Sequence, residues 1–196
     1  MNPQRRKFVC VGDGDAGKTS LLNAILKGEF SHEYHPVVLE SSTFVAIEVK
    51  GEAITLELGE SSENGEIHHK FAPMVFADVH AVLFCFSIEW QETLDDILKW
   101  WVPHAKEFAP GILGFLVGCK KDLRTDPDTL QYLATLGQMP VTYEQGEEMA
   151  HTIGFTYLEC SALTGEGVRE LLREVTERMD ANKWNRPRKS SVCIVM

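Results

Sequence analysis

Two hydrophobic rhythms alternate along the chain. Residues 7–11 form a short β-rich run that ends at a glycine-rich turn. From Gly17 the apolar positions take helical spacing, with Leu21, Leu22, Ile25 and Leu26 on one face and Gly28 closing the helix. Thr43–Val49 and residues 54–58 alternate apolar with polar on either side of Lys50-Gly51-Glu52, which predicts a hairpin. Ala81–Ser87 and residues 112–117 are unbroken apolar runs, the pattern of central strands covered on both faces. Between these two, Leu94, Ile97, Leu98 and Trp101 mark the core face of a helix that Pro103 kinks or ends. The adjacent Trp100 then points elsewhere and is partly exposed. Thr142 and Gln145 form a capping-box pattern at the head of another helix, which Gly154 ends. Residues 155–160 read as a strand, and Val168, Leu171, Leu172, Val175 and Met179 as one face of a long closing helix. Residues 126–137 add a short helix with Asp126 as cap and Pro127 at its first position. The sum predicts a three-layer α/β domain whose sheet is mostly parallel with one antiparallel edge.

Composition agrees with that picture. At 196 residues, 44% hydrophobic and 24% charged, the chain suits one globular domain, residues 1–180, and a short tail, 181–196. No apolar run approaches the roughly 18 residues that cross a bilayer. The basic amino terminus precedes an apolar segment broken at Gly12 and Asp13, which does not make a signal peptide. Cys10, Cys85, Cys119 and Cys160 lie in or beside strand-like runs and read as small buried residues of a reducing compartment. The formal charge of -10 argues against nonspecific nucleic-acid binding. That charge is unevenly placed. No acid follows Asp180, whereas Lys183, Arg186, Arg188 and Lys189 fall within seven positions.

The first turn carries chemistry. Gly12-Asp13-Gly14-Asp15-Ala16-Gly17-Lys18-Thr19 fits the G-x-x-x-x-G-K-[ST] pattern between a strand and a helix. Glycines let backbone N–H groups turn inward around phosphate oxygens, and the helix adds its positive dipole end. Lys18 can reach the β- and γ-phosphates, and the Thr19 hydroxyl, followed by Ser20, can bind Mg²⁺. A tight strand–helix turn would account for the glycines alone but leaves Lys18-Thr19 at this spacing unexplained.

Two later segments resemble the base-reading loops of small GTPases. Cys119-Lys120-Lys121-Asp122, followed by Leu123, resembles [NT]-K-x-D, and Glu159-Cys160-Ser161-Ala162-Leu163 resembles the serine-alanine loop of that family. An aspartate accepts from both the ring N1–H and the exocyclic amine of guanine, a pair that adenine cannot offer. The resemblance implies that the Lys120 stem covers the ring, that the Ala162 N–H meets the guanine O6, and that Phe30 stacks near the base. Cys119 replaces the usual Asn or Thr. The insert at 126–137, the Glu-Cys-Ser-Ala-Leu-Thr sequence and Tyr34-His35-Pro36 are most similar to the Rho branch. The resemblance covers nearly the whole chain and implies a P-loop small-GTPase fold with a Rho-type insert helix. It also implies GTP/GDP and Mg²⁺ as cofactors, with effector and regulator proteins meeting two switch regions, around 37–42 and 60–71.

Departures from the family pattern fall at those switches. Where the family has a Mg²⁺-binding threonine after Tyr-x-Pro, this chain has Val37, which supplies no metal ligand. Counted from Gly51, Glu60-Ser61-Ser62-Glu63-Asn64 stands where Asp-x-x-Gly-Gln is expected; counted back from the next strand, the register shifts by one. Glu60 can hold Mg²⁺ through water, and Asn64 is a shortened stand-in for the water-orienting glutamine. Asp15 puts a carboxylate near bound phosphates. Slow or impaired hydrolysis is therefore expected. The alternative is a pseudo-GTPase, a binding module that does not cycle. His68 and His69 lack further ligands at metal spacing and read as exposed loop residues.

The ending Cys193-Ile194-Val195-Met196 is a C-a-a-X sequence whose final Met favours farnesyl. A prenyltransferase would modify Cys193, with removal of the last three residues. The basic cluster before it would add attraction to anionic lipid. The expected location is the cytoplasmic face of a membrane, with a cytosolic pool.

Overall fold

A computed structural model describes residues 4–27, 43–49, 52–60, 73 and 75–181. Six strands form one sheet. They are β1 (Gln4–Val11), β2 (Thr43–Val49), β3 (Glu52–Glu60), β4 (Ala81–Ser87), β5 (Leu113–Cys119) and β6 (Thr156–Glu159). Their order is β2-β3-β1-β4-β5-β6. All neighbours are parallel except β2 and β3, whose antiparallel register brings Val49 opposite Glu52. The tight hairpin and the antiparallel edge follow the sequence pattern.

The period-2 alternation of the strands splits the core in two, giving three layers. Phe8, Cys10, Leu83, Cys85, Phe115 and Val117 face one side, under α1 (Lys18–Lys27) and α6 (Val168–Ala181). Val9, Val11, Val82, Phe84, Phe86 and Leu116 face the other. That second face is covered by a long broken helix, α2 (Gln91–Asp96), a π-helical turn (Ile97–Trp101) and α3 (Val102–Phe108), and by α5 (Tyr143–Ile153). The insert helix α4 (Pro127–Thr135) stands between β5 and α5. The Asp126 carboxylate accepts from the Thr129 N–H at its head. The capping box of α5 is complete, with Thr142 and Gln145 bonded reciprocally and Gly154 left-handed at the end.

One core assignment is corrected. Leu94, Ile97 and Trp101 are buried as expected, but Leu98 is 44% exposed. The cause is the π-helical turn, in which the Val102 N–H reaches back five residues to the Ile97 carbonyl. The wider turn aligns Ile97 with Trp101 and rotates Leu98 outward; Trp100 is 59% exposed. Pro103, which has no N–H to give, follows this turn, and the helix continues past it to Phe108.

The four cysteines of the sheet form a diagonal row on the α1/α6 face, from Cys10 through Cys85 and Cys119 to Cys160. All are buried free thiols. Bonds to Cys10 and Cys119, reinforced by burial, push the Cys85 thiol well above its ordinary range. The bond to Cys119 and burial do the same for Cys160. The residues at 28–42, 61–71 and 182–196 lie outside the described residues. Phe30, Val37, Asn64, His68, His69 and Cys193 are therefore not placed, and of Glu60 only the backbone is.

Candidate functional site

Strand β1 is where the sheet order reverses. Its neighbours are β3 on one side and β4 on the other, and the crevice outside the carboxyl ends at such a point is where α/β sheets take ligands. The phosphate loop leaves β1 there. Gly12 has φ +146, and a Cβ on it would lie 2.1 Å from the Cys85 carbonyl oxygen, so the β4 backbone leaves room for glycine alone. Gly17 has φ +92 and faces Cys119, whose Cβ would be 3.0 Å from any added Cβ. Through that contact the loop after β5, the first of the two expected to read the base, rests directly on the phosphate loop.

Lys18 is 3% exposed. Its ammonium donates to the Gly12 carbonyl at 3.0 Å and to the Asp13 carbonyl at 2.7 Å. An ammonium carries three protons, so these two bonds hold the group in place and leave a third for a ligand oxygen. Thr19 and Ser20 follow in the first turn of α1. Asp15 is exposed and takes a left-handed backbone, φ 59, which aspartate tolerates better than most residues. Asp13 and Gly14 are half-buried and Ala16 is fully buried. Burial pushes the Asp13 carboxyl above its ordinary range and the nearby Asp96 adds to this, while a bond from Trp101 and the Lys18 charge oppose it.

The two loops expected to read the base meet at the ends of β5 and β6. Lys120 is left-handed, φ 57, and turns the chain from β5 into a 3₁₀ turn (Lys121–Arg124) that carries Asp122 and Leu123. A non-glycine residue held this way marks a constrained position. The Lys120 ammonium pairs with Glu89 at 3.7 Å. The Ser161 hydroxyl, fully buried, donates to Asp122 Oδ1 at 2.5 Å, which orients the carboxylate expected to read the base. The Thr164 N–H in turn donates to Ser161 Oγ. Ala162 packs against the core and Leu163 is 50% exposed. The Lys121 N–H donates to the Cys160 carbonyl, and its ammonium pairs with Glu166 at 2.6 Å.

Three participants were not marked by any motif. Arg124 grips Glu159 with both guanidinium arms and donates from Nε to the Val141 carbonyl. Tyr157 donates its hydroxyl to Glu159 from the same strand. Burial and that carboxylate push the Tyr157 phenol far above its ordinary range. Trp101, assigned by spacing to the core alone, also donates its indole N–H to Asp13 Oδ1 at 2.8 Å. No local pattern announces the Arg124 and Trp101 pairs, whose partners lie 35 and 88 positions away.

For Mg²⁺ the donor set is of the right kind: the Thr19 hydroxyl, the oxygens of a bound nucleotide and water. Glu60 ends β3 opposite Cys10 of β1, so its backbone stands beside the start of the phosphate loop. Among the described residues, no cluster of three or more His, Cys, Asp or Glu makes a protein-only metal cage.

A family model described as the Ras family matches residues 7–181. The chain is 42% identical over 177 residues to "GTP-binding protein RHO1" of Saccharomyces cerevisiae, covering 89% of this chain and 83% of that protein. It is 39% identical over 194 residues to the protein of the same name in Candida albicans, covering 98% and 96%. To "GTP-binding protein rho5" of Schizosaccharomyces pombe it is 39% identical over 199 residues, covering 98% of each. With a phosphate loop at the reversal point of its sheet, an insert helix after β5 and these matches along its length, the chain belongs to the Ras family of small GTPases as a divergent Rho-like member.

Proposed function

We propose that this protein is a Rho-like GTP-binding signalling protein on the cytoplasmic face of a membrane, with slow or impaired GTP hydrolysis. The observation that carries the nucleotide reading is the Lys18 ammonium, buried and tethered to the Gly12 and Asp13 carbonyls at the same carboxyl end of the sheet where Asp122 and Ser161 meet. Lys18 and the loop N–H groups would hold the phosphates. Thr19, with Glu60 through water, would hold Mg²⁺, which supplies charge neutralisation at the β- and γ-phosphates. Asp122, locked by Ser161, would accept from guanine N1–H and its amine, with Lys120 and Ala162 completing the base site. The names of the fungal relatives, each a GTP-binding protein, support the same assignment.

Impaired hydrolysis rests on the sequence at the switches. Val37 and the run Glu60-Ser61-Ser62-Glu63-Asn64 stand where residues that hold the metal and orient the attacking water are expected. The same run favours a second reading, a non-cycling interaction module on a GTPase fold. Identification of the nucleotide that copurifies, followed by single-turnover GTP hydrolysis, separates the two. A bound guanine nucleotide with hydrolysis well below the ordinary intrinsic rate is expected. No guanine nucleotide bound in Mg²⁺ would leave only the module. Hydrolysis at the ordinary rate would remove the impaired-switch argument.

Membrane attachment rests on Cys193-Ile194-Val195-Met196 and the basic cluster before it. Among the described residues no helix is long and apolar enough to cross a membrane, so attachment would run through the tail. Cys193→Ser should move the protein from the membrane to the soluble fraction of cells. Unchanged membrane association would refute the lipid anchor.

A further inference from the structure

The phosphate loop holds an acid, Asp13, as its second residue, with Asp96 close by. A carboxylate turned toward bound phosphates would repel them, so the direction in which Asp13 points matters to any anion the loop holds. That direction is fixed by a bond from outside the loop. The Trp101 indole N–H, a group that can only donate, bonds to Asp13 Oδ1 at 2.8 Å from the π-helical turn between α2 and α3. The Trp101 ring is 9% exposed and packs in the core face that also contains Val9, Val11, Leu94 and Ile97. Its N–H is therefore presented by a rigid support. At its other end Asp13 offers its carbonyl to the Lys18 ammonium at 2.7 Å and to the Ala16 N–H at 3.3 Å.

We propose that Trp101 is a positioning residue for the nucleotide site: it clamps the Asp13 side chain, and Asp13 in turn seats Lys18 and the inward-facing loop N–H groups. The chain of contacts runs from Trp101 to Asp13 to Lys18, across 88 positions of sequence in its first link. The π-helical turn is the device that makes it, since the same wider turn that rotates Leu98 outward brings Trp101 against the loop. The kinetic part of the inference rests on the guanine-nucleotide reading given above.

The test uses the full-length protein loaded with a fluorescent GDP analogue in Mg²⁺. Trp101→Phe keeps an aromatic ring but removes the N–H, and Asp13→Ala removes the acceptor. Each should release nucleotide about tenfold faster, the scale of one bond to a partly buried carboxylate. The double variant should release no faster than either single one, because both remove the same link. Asp13→Asn, which keeps an acceptor oxygen, should recover most of the Asp13→Ala loss. In the nucleotide-free protein, Trp101→Phe should raise hydrogen exchange at the Ala16 amide. Additive single effects, a release from Asp13→Asn as fast as from Asp13→Ala, or unchanged Ala16 exchange would overturn the proposal. If Trp101→Phe does not fold, the contrast between the two Asp13 variants decides. If the wild type binds no guanine nucleotide, the proposed function fails, while amide exchange still tests the clamp.

Discussion

Arg124 holds Glu159 by two parallel bonds, Nη1 to Oε2 at 2.8 Å and Nη2 to Oε1 at 2.6 Å. The pair ties the turn that bears Asp122 to the strand end that leads into Ser161. Glu159 is 6% exposed at its side chain and Arg124 24%. Removal of the guanidinium leaves a nearly buried carboxylate with the Tyr157 hydroxyl and the more distant Lys121 charge. Arg124→Ala should therefore destabilise the fold by about 2–3 kcal/mol. It should also weaken GDP binding. A cycle with Glu159→Gln should give a coupling above about 1 kcal/mol in urea unfolding. Additive effects would mean that the two loops are held by other contacts.

The same pair sets a pH dependence. Burial alone would raise the Glu159 carboxyl, but the Arg124 and Tyr157 bonds and the Arg124 charge outweigh it and hold the group below its ordinary value of 4.5. A lowered folded value means that the unfolded chain binds the proton first. The stabilisation is thus complete above 4.5 and is lost as pH falls below it through the folded value. The difference in urea midpoint between wild type and Glu159→Gln should shrink on acidification through this window. A constant difference would count against the carboxylate as its source.

Gly146 lies inside α5, where alanine would ordinarily gain about 1 kcal/mol of helix propensity. Here an added Cβ would sit 2.2 Å from Tyr157 Cζ and 2.3 Å from its hydroxyl oxygen. Overpacking costs about 1–3 kcal/mol and should win. Gly146→Ala is expected to lower the melting temperature, and the lost Tyr157–Glu159 bond should show as faster nucleotide release. A more stable variant would mean that the ring shifts freely.

Asp15 is the exposed carboxylate of the phosphate loop. Asp15→Gly suits the left-handed backbone and removes a negative charge from the phosphate loop. A repulsion of about 1–2 kcal/mol at the site predicts nucleotide release slowed about tenfold, by the same fluorescence assay. Release unchanged across a range of salt would show that the carboxylate points away from the bound phosphates.

The parts of the molecule that sequence made legible are those with local causes. Ala81–Ser87 is buried on both faces, and an unbroken apolar run says so. Thr142 and Gln145 are three residues apart, within one helical turn, and their capping box forms as written. Leu98 was misplaced because the spacing argument assumes 3.6 residues per turn throughout, and the π-helical turn changes the phase there. Within the site, Lys18 was visible from the spacing of the phosphate loop, and Asp122 and Ser161 from their resemblance to the loops of small GTPases. Arg124 and Trp101 were not, because their partners lie 35 and 88 positions away and meet them only once the strands pair and the helix packs.

The diagonal row of Cys10, Cys85, Cys119 and Cys160 equips the protein with an internal clock. At 0–2% exposure, none of the four can meet a thiol reagent while the sheet is closed. Each labelling event at these sulfurs then records an opening of the central strands. Three sit on β1, β4 and β5 and the fourth directly after β6, so the order in which they react reports which strand pair parts first.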